Sequence, residues 1–194
     1  MSAIPADAKR PPLKHEIGEI NERNLGVLKV LLQKTFPITY GEGFYQDVLT
    51  HDKFCRYAFV ADVVVGSICA RVQDEEKCNK ENCPEQASDD TQKPVLNGKS
   101  KEDILYLMTL SLLPAYRKRG IASALLEFLI EAAKKDENLR QIALHVQTSN
   151  DVALKFYQKH GFEIQKTVPN YYQKIEPTSA HFLTLNLKPS CGCC

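Results

Sequence analysis

The stretch AYRKRGIASALLEFLIEAAKKD, Ala115–Asp136, places Arg117, Lys118 and Arg119 directly before Gly120 and a strongly amphipathic helical pattern. A helix N-terminus leaves backbone N–H groups unpaired and carries partial positive charge, so it suits phosphate. A glycine there lets a ligand approach the main chain closely. The ligand this loop implies is a pyrophosphate. The plain alternative is a basic loop that merely solubilises a helix start. A strand pattern, ILYLMTLSL, feeds directly into the loop, and α/β sheets collect ligands at such strand ends.

A second chemical candidate is His145 in QIALHVQ. Strand alternation turns it away from Ile142, Leu144 and Val146, and an imidazole titrating near neutral pH suits general-base work. Two aromatic stretches offer an apolar pocket: Phe36, Pro37, Ile38 and Tyr40 in FPITY, and Tyr171, Tyr172 and Ile175 in PNYYQKIEP. Packing explanations stand beside each reading. A strand histidine or a Tyr-Tyr pair usually packs, and Phe156 and Tyr157 both suit the core of an amphipathic helix.

The elements that must position these groups can be read along the chain. A leader closes at Pro11–Pro12, and KHEIGEI alternates like a first strand. Asn21 or Asn24 caps a helix whose face is Leu25, Leu28, Leu31 and Leu32. Pro37, Gly41 and Gly43 break it before a short helix, FYQDVL. RYAFVADVVVGSICARV reads as a hairpin turning at Ala61–Asp62. In the strand that follows, Ile104, Tyr106, Met108 and Leu110 are expected on one face. The helix after Gly120 should bury Ile121, Ala124, Leu125, Phe128, Leu129, Ala132 and Ala133. Ser149 or Asn150 caps DVALKFYQKH, Gly161 ends it in the left-handed conformation, and FEIQKTV and AHFLTLNL are two last strands. The order β-α-α-β-β-β-α-β-α-β-β is an α/β sheet in a single domain over residues 13–188. Within it, Asp74–Asp103 is too polar to offset its ordering entropy and is expected to be a disordered insertion.

A net charge of +1 gives no global field for nucleic acid, so charge recognition must be local. The N-terminal residues lack the apolar core of a signal peptide, and no apolar run nears the roughly 20 residues of a membrane span. Seven cysteines, an odd number, fit a reducing compartment. Cys55 and Cys69 read as small hydrophobes. Cys78 and Cys83, and the tail 189–194 with Cys191, Cys193 and Cys194, have spacings for a soft metal but no histidine beside them. The terminal cysteines also invite lipidation, against a poor match to the prenylation signal, and only that would bring the chain to a membrane.

RKRGIA matches R/Q-x-x-G-x-G/A, the pyrophosphate loop of the GNAT superfamily of N-acetyltransferases. FPITYGEGFYQDVL, LYLMTLSLLPAYRKRGIA, LHVQTSNDVALKFYQKHGFEI and NYYQKIEPTSAH, in that order, resemble the NatE-type protein N-terminal acetyltransferases over most of residues 15–188. The insertion and the cysteine-ended tail depart from that pattern. The resemblance implies a GNAT fold, a central mixed and mostly antiparallel sheet flanked by helices. It implies acetyl-CoA as cosubstrate and transfer of its acetyl group to protein N-termini that begin with Met and a hydrophobic residue.

It implies roles as well. Tyr106 and His145 would act as catalytic pair through ordered water. Leu110, Leu112, Arg117, Lys118, Arg119, Gly120, Ile121, Ala122, Ser123, Asn150, Tyr157 and Lys159 would contact the cosubstrate, with Tyr157 also a candidate proton donor to the thiolate. The two aromatic loops, with Met108 as floor, would hold the peptide. No metal is required. Partners would be nascent or mature protein N-termini and the scaffold and catalytic subunits of a NatA-type complex at the ribosome, in the cytoplasm and the nucleus as well. An α-amino group of pKa roughly 7.7–8.0 is easier to deprotonate than lysine at roughly 10.4. A lysine acetyltransferase, the first rival, would want a carboxylate base, and no acid replaces Tyr106 or Met108. A mainly structural subunit is the second rival.

Overall fold

Alternation and helical spacing resolve into the expected order of elements in a computed structural model, which describes residues 11–36, 38–73, 103–173 and 175–187. The strands are β1 (Glu16–Glu19), β2 (Arg56–Val60), β3 (Val63–Gln73), β4 (Asp103–Leu112), β5 (Leu139–Gln147), β6 (Glu163–Val168) and β7 (Ala180–Asn186). The helices are α1 (Leu25–Thr35), α2 (Glu42–Thr50), α3 (Ile121–Lys134) and α4 (Asp151–Lys159). One sheet runs in the order β1-β2-β3-β4-β5-β7-β6. Among the described strands only β4 and β5 pair in parallel. Pro37, the leader to residue 10, the insertion 74–102 and the tail 188–194, with Cys78, Cys83, Cys191, Cys193 and Cys194, lie outside the described residues.

Helices cover both faces of the sheet. On one, Leu105, Leu107 and Leu112 of β4 pack with Ile121, Leu125, Leu126 and Leu129 of α3 and with Tyr157 of α4. On the other, Leu28 and Leu32 of α1 and Phe44, Tyr45 and Val48 of α2 pack on Tyr57, Cys55 and Cys69. Each fully buried aliphatic side chain contributes about 1.5–3 kcal/mol. The buried stripe of α3 is rotated from the expected one. Leu126 is fully buried, whereas Ala124, Phe128 and Ala132 are only half-buried. The rim position of Phe128 has a use, since the Arg56 guanidinium sits 5.0 Å from its ring centroid.

The β3–β4 ladder contains a bulge. Cys69 faces Thr109 and Ala70 faces Leu107, so Met108 is the extra residue. Strand parity flips there. Leu110 therefore joins the α3 side with Leu112, not the face of Tyr106 expected from simple alternation. Thr109 and Ser111 take over the Tyr106 side, where Ser111 Oγ and Ser67 Oγ satisfy each other at 2.8 Å.

The bulge also bends β4 next to its parallel neighbour. Pairing between β4 and β5 ends at Tyr106 and Ala143, although β4 continues to Leu112 and β5 to Gln147. A wedge opens from that point. Tyr106 stands at its apex, Met108 on one arm and His145 on the other. The strand ends beyond lead into the N-termini of α3 and α4.

Candidate active site

At the apex three hydroxyl and imidazole groups form a hydrogen-bonded string. Tyr106 Oη lies 2.9 Å from His145 Nδ1 and 3.1 Å from Tyr171 Oη. The contact between the Tyr106 and His145 side chains is direct. The His145 ring stacks on Tyr171 with centroids 4.2 Å apart and also meets Phe182, its cross-strand neighbour on β7. Lys166 of β6 faces Phe182 in turn, with its ammonium 5.4 Å from that ring. Burial first, and the Lys166 charge second, hold the imidazole down to about 4. His145 is therefore a neutral acceptor throughout the physiological range. Phe182 and Lys166 carry no local signal, because only the β5–β7–β6 register brings them into this row.

Beside the string lies an aromatic wall. Tyr40 packs at 4.4 Å on Phe44 and edge-on to Phe36 at 6.2 Å, with Ile38 and Met108 against the same cluster. Tyr171 and Tyr172 meet edge-to-face at 4.9 Å, and Tyr172 N–H donates to the Thr178 carbonyl at 2.8 Å, which ties their loop. Ile175 is half-buried farther along that loop. Burial, then Cys69 and Tyr172, push the Tyr40 phenol above its ordinary range. Met108 packs against both this cluster and the Tyr106–Phe182 cluster, so the bulge residue joins wall and apex.

At the mouth of the wedge the basic loop has the conformation of an anion cradle. Lys118 has φ +62° and Gly120 φ +86°, a curl that turns N–H groups into one concavity. The first helical bond of α3 runs from Ala124 N–H to the Gly120 carbonyl at 3.1 Å, so the amides of Ile121, Ala122 and Ser123 precede the ladder. A Cβ on Gly120 would meet no atom within 4 Å, which leaves open space beside this backbone. Arg117 Nε donates to the Leu112 carbonyl at 3.1 Å and pins the loop to β4. Arg119 Nε is buried with no hydrogen-bond partner among the described residues. These features fit a diphosphate. Ile121 and Leu112 themselves are core side chains, so only their main-chain atoms are available to a ligand, and Leu110 packs away from the wedge.

On α4, the Asn150 side chain accepts the Ala153 N–H at 3.1 Å, so its carbonyl oxygen serves as helix cap and only its amide nitrogen remains for a ligand. Tyr157 is buried, edge-on to Phe156 and Phe162, and burial raises its phenol so that it stays protonated. Tyr172 also contributes to that rise, which places the Tyr171–Tyr172 loop within electrostatic range of Tyr157. Lys159 is exposed at the end of α4, next to His160. A separate hollow of about 500 Å³, bordered by Phe54, Arg56, Phe128 and Asp136, lies by the C-terminal half of α3, away from this chemistry. Asp136 is engaged there with Lys53 at 2.7 Å.

A model of the acetyltransferase (GNAT) family matches residues 25–162. N-alpha-acetyltransferase 50 of Danio rerio is 36% identical over 177 residues, 91% of either chain. The probable N-acetyltransferase san of Drosophila melanogaster is 35% identical over 173 residues, 89% of this chain and 81% of that protein. Among solved structures, Arabidopsis thaliana Naa50 in complex with the bisubstrate analogue CoA-Ac-MVNAL superposes with a TM-score of 0.71 at 32% identity, covering 88% of this chain and 97% of that one.

Proposed function

The chain belongs to the acetyltransferase (GNAT) family, and from that premise we propose that it is an acetyl-CoA-dependent N-alpha-acetyltransferase acting on protein N-termini that begin with Met and a hydrophobic residue. The observation that carries this reading is a single wedge with a phosphate cradle at its mouth and a neutral Tyr–His pair at its apex. Its aromatic wall favours a long apolar first side chain, and the solved relative was captured with a peptide starting Met-Val.

Bound acetyl-CoA supplies a thioester carbonyl carbon open to attack by an amine. The amides at the start of α3, with Lys118 and Arg119, hold its diphosphate. The peptide amine sits against Tyr106 Oη. A base held near 4 removes a proton from a free ammonium of roughly 8 only at a cost of about 5 kcal/mol. The pair therefore works on the neutral amine. Tyr106 and His145 hold that amine in place and take its proton as nitrogen gains its new bond and becomes acidic, with His145 Nδ1 drawing on the Tyr106 hydroxyl. Tyr157, kept protonated by burial, supplies a proton to the departing sulfur. The absence of a carboxylate from the string, and the low basicity of His145, favour α-amines over the more basic lysine ammonium.

The deciding experiment incubates the isolated chain with acetyl-CoA and peptides differing in their first two residues. Met-Leu peptides are expected to react at least tenfold faster in kcat/KM than Ser- or Ala-starting ones, the scale on which apolar pockets discriminate. Equal rates, or a preference for acidic first residues, would overturn the substrate assignment.

A further inference from the structure

One hydrogen-bonded pair of side chains close to the cradle is not used in the chemistry above. Ser123 Oγ lies 3.1 Å from His160 Nε2. Ser123 is in the first turn of α3, and helical side chains lean back toward the N-terminus, here toward Gly120 and the loop. His160 follows the last turn of α4 and packs its ring on Phe156 at 4.8 Å. The contact thus joins the two helices that flank the wedge.

A serine hydroxyl has one hydrogen to give. If His160 Nε2 accepts it, the serine turns lone pairs toward the cradle and repels an anion there. If Nε2 carries hydrogen, the ring donates and the serine hydrogen is released. We infer that His160 is a positioning residue of the diphosphate site, which donates Nε2–H to Ser123 Oγ and thereby turns the serine hydroxyl to donate to a phosphate oxygen of acetyl-CoA. This rests on the acetyl-CoA reading above and adds to it a residue outside the loop.

The inference has a proton consequence. An anion favours the donor forms of the ring, the imidazolium most of all, and by linkage the imidazolium favours the anion. The charged groups acting on His160 are Glu127 from α3 and Lys159 from its own helix. Burial lowers its pKa first, Glu127 opposes that, and Lys159 adds to it. At neutral pH the free protein therefore holds a neutral ring, and coenzyme uptake must draw in a proton as pH falls.

The test uses titration calorimetry with 3′-dephospho-CoA, whose diphosphate keeps a constant charge between pH 5.5 and 8. For the wild-type chain the dissociation constant should fall about three- to tenfold from pH 8 to 5.5, the worth of one hydrogen bond gaining charge assistance. In His160→Phe, which keeps the ring on Phe156, and in Ser123→Ala, that dependence should vanish. His160→Gln, a donor that does not titrate, should bind tightly and independently of pH. The His160 ring resonances should titrate at higher pH with ligand than without. Unchanged pH dependence in His160→Phe, or equal His160 titrations in free and bound protein, would overturn the inference while the acetyl-CoA reading stands. A wild-type chain that takes up no coenzyme at any pH would overturn both.

Discussion

The rings of His145 and Tyr171 lie nearly parallel, with centroids 4.2 Å and planes 12° apart. The imidazole on β5 is thus roofed by a residue from the Tyr171–Tyr172 loop. Tyr171→Ala should lift that roof, and because burial is the main reason the imidazole is held down, its pKa should climb back toward 6.5. Tyr171→Phe should keep the stack and lose only the contact with Tyr106, costing less than about tenfold in kcat. Ring-proton titration by NMR distinguishes the two variants, and an unchanged His145 in Tyr171→Ala would refute the roofing argument.

Tyr106→Phe removes the hydroxyl on which the string converges. We expect kcat to fall by about 10² or more, with peptide affinity changed less than about threefold, as for loss of a positioned acid–base group. His145→Ala should do the same, and the double variant should be little worse than either, since both act in one proton path. Pre-steady-state turnover and equilibrium peptide binding, measured in parallel, provide the check.

The pH behaviour has a definite sign. With His145 at about 4, its deprotonated form dominates above pH 5, so the rise of kcat/KM should follow the substrate amine near roughly 7.7–8.0. A limb near 6.5 in the wild type would contradict this. Lys166→Ala removes a cation that disfavours the imidazolium, so the His145 pKa should rise.

The same shift affects stability. A folded pKa below the unfolded value means that the unfolded chain binds the proton more readily. The contribution is complete above about pH 6.5 and is lost as pH falls toward 4, by at most about 3 kcal/mol. The denaturant midpoint of wild type should therefore fall relative to that of His145→Phe as pH drops through that window, and a constant difference would contradict the shift.

Gly120→Ala separates conformation from contact. Its φ of +86° imposes about 1–2 kcal/mol on a residue with a Cβ, while the added methyl meets no protein atom within 4 Å. Stability should therefore drop by that amount alone. Acetyl-CoA affinity should drop by more than tenfold, because the methyl occupies the space reserved for phosphate. Calorimetry and thermal unfolding on one sample test both halves, and a variant that binds acetyl-CoA normally would remove Gly120 from the cradle.

Sequence reasoning succeeded where one period governed a whole element. Alternation along β5 put His145 opposite Ile142, Leu144 and Val146, and these three do lie in the core beneath α3 and α4. The basic loop was legible because glycine, cations and helix start are contiguous. Leu110 was misplaced because a bulge breaks the period and nothing local announces it. Leu126 was overlooked because the sheet, not the helix, decides which part of an apolar sector faces inward. The row His145–Phe182–Lys166 and the pair Ser123–His160 depend on strands and helices far apart in sequence, so only the assembled sheet brings them together.

The extra residue at Met108 works like a frameshift in the grammar of β4. Upstream of it, odd positions serve the oily layer and even ones the reaction chamber; downstream the assignments swap. Substitutions in this strand can be absorbed one at a time by their neighbours. Removing a single residue next to Met108 would erase the bulge. Tyr106, Leu110, Ser111 and Leu112 would keep their faces, but the residue that joins the aromatic wall to the apex would be drawn into the ladder and the bend that opens the wedge would go with it. For anyone redesigning this enzyme, the length of β4 is the quantity to leave alone.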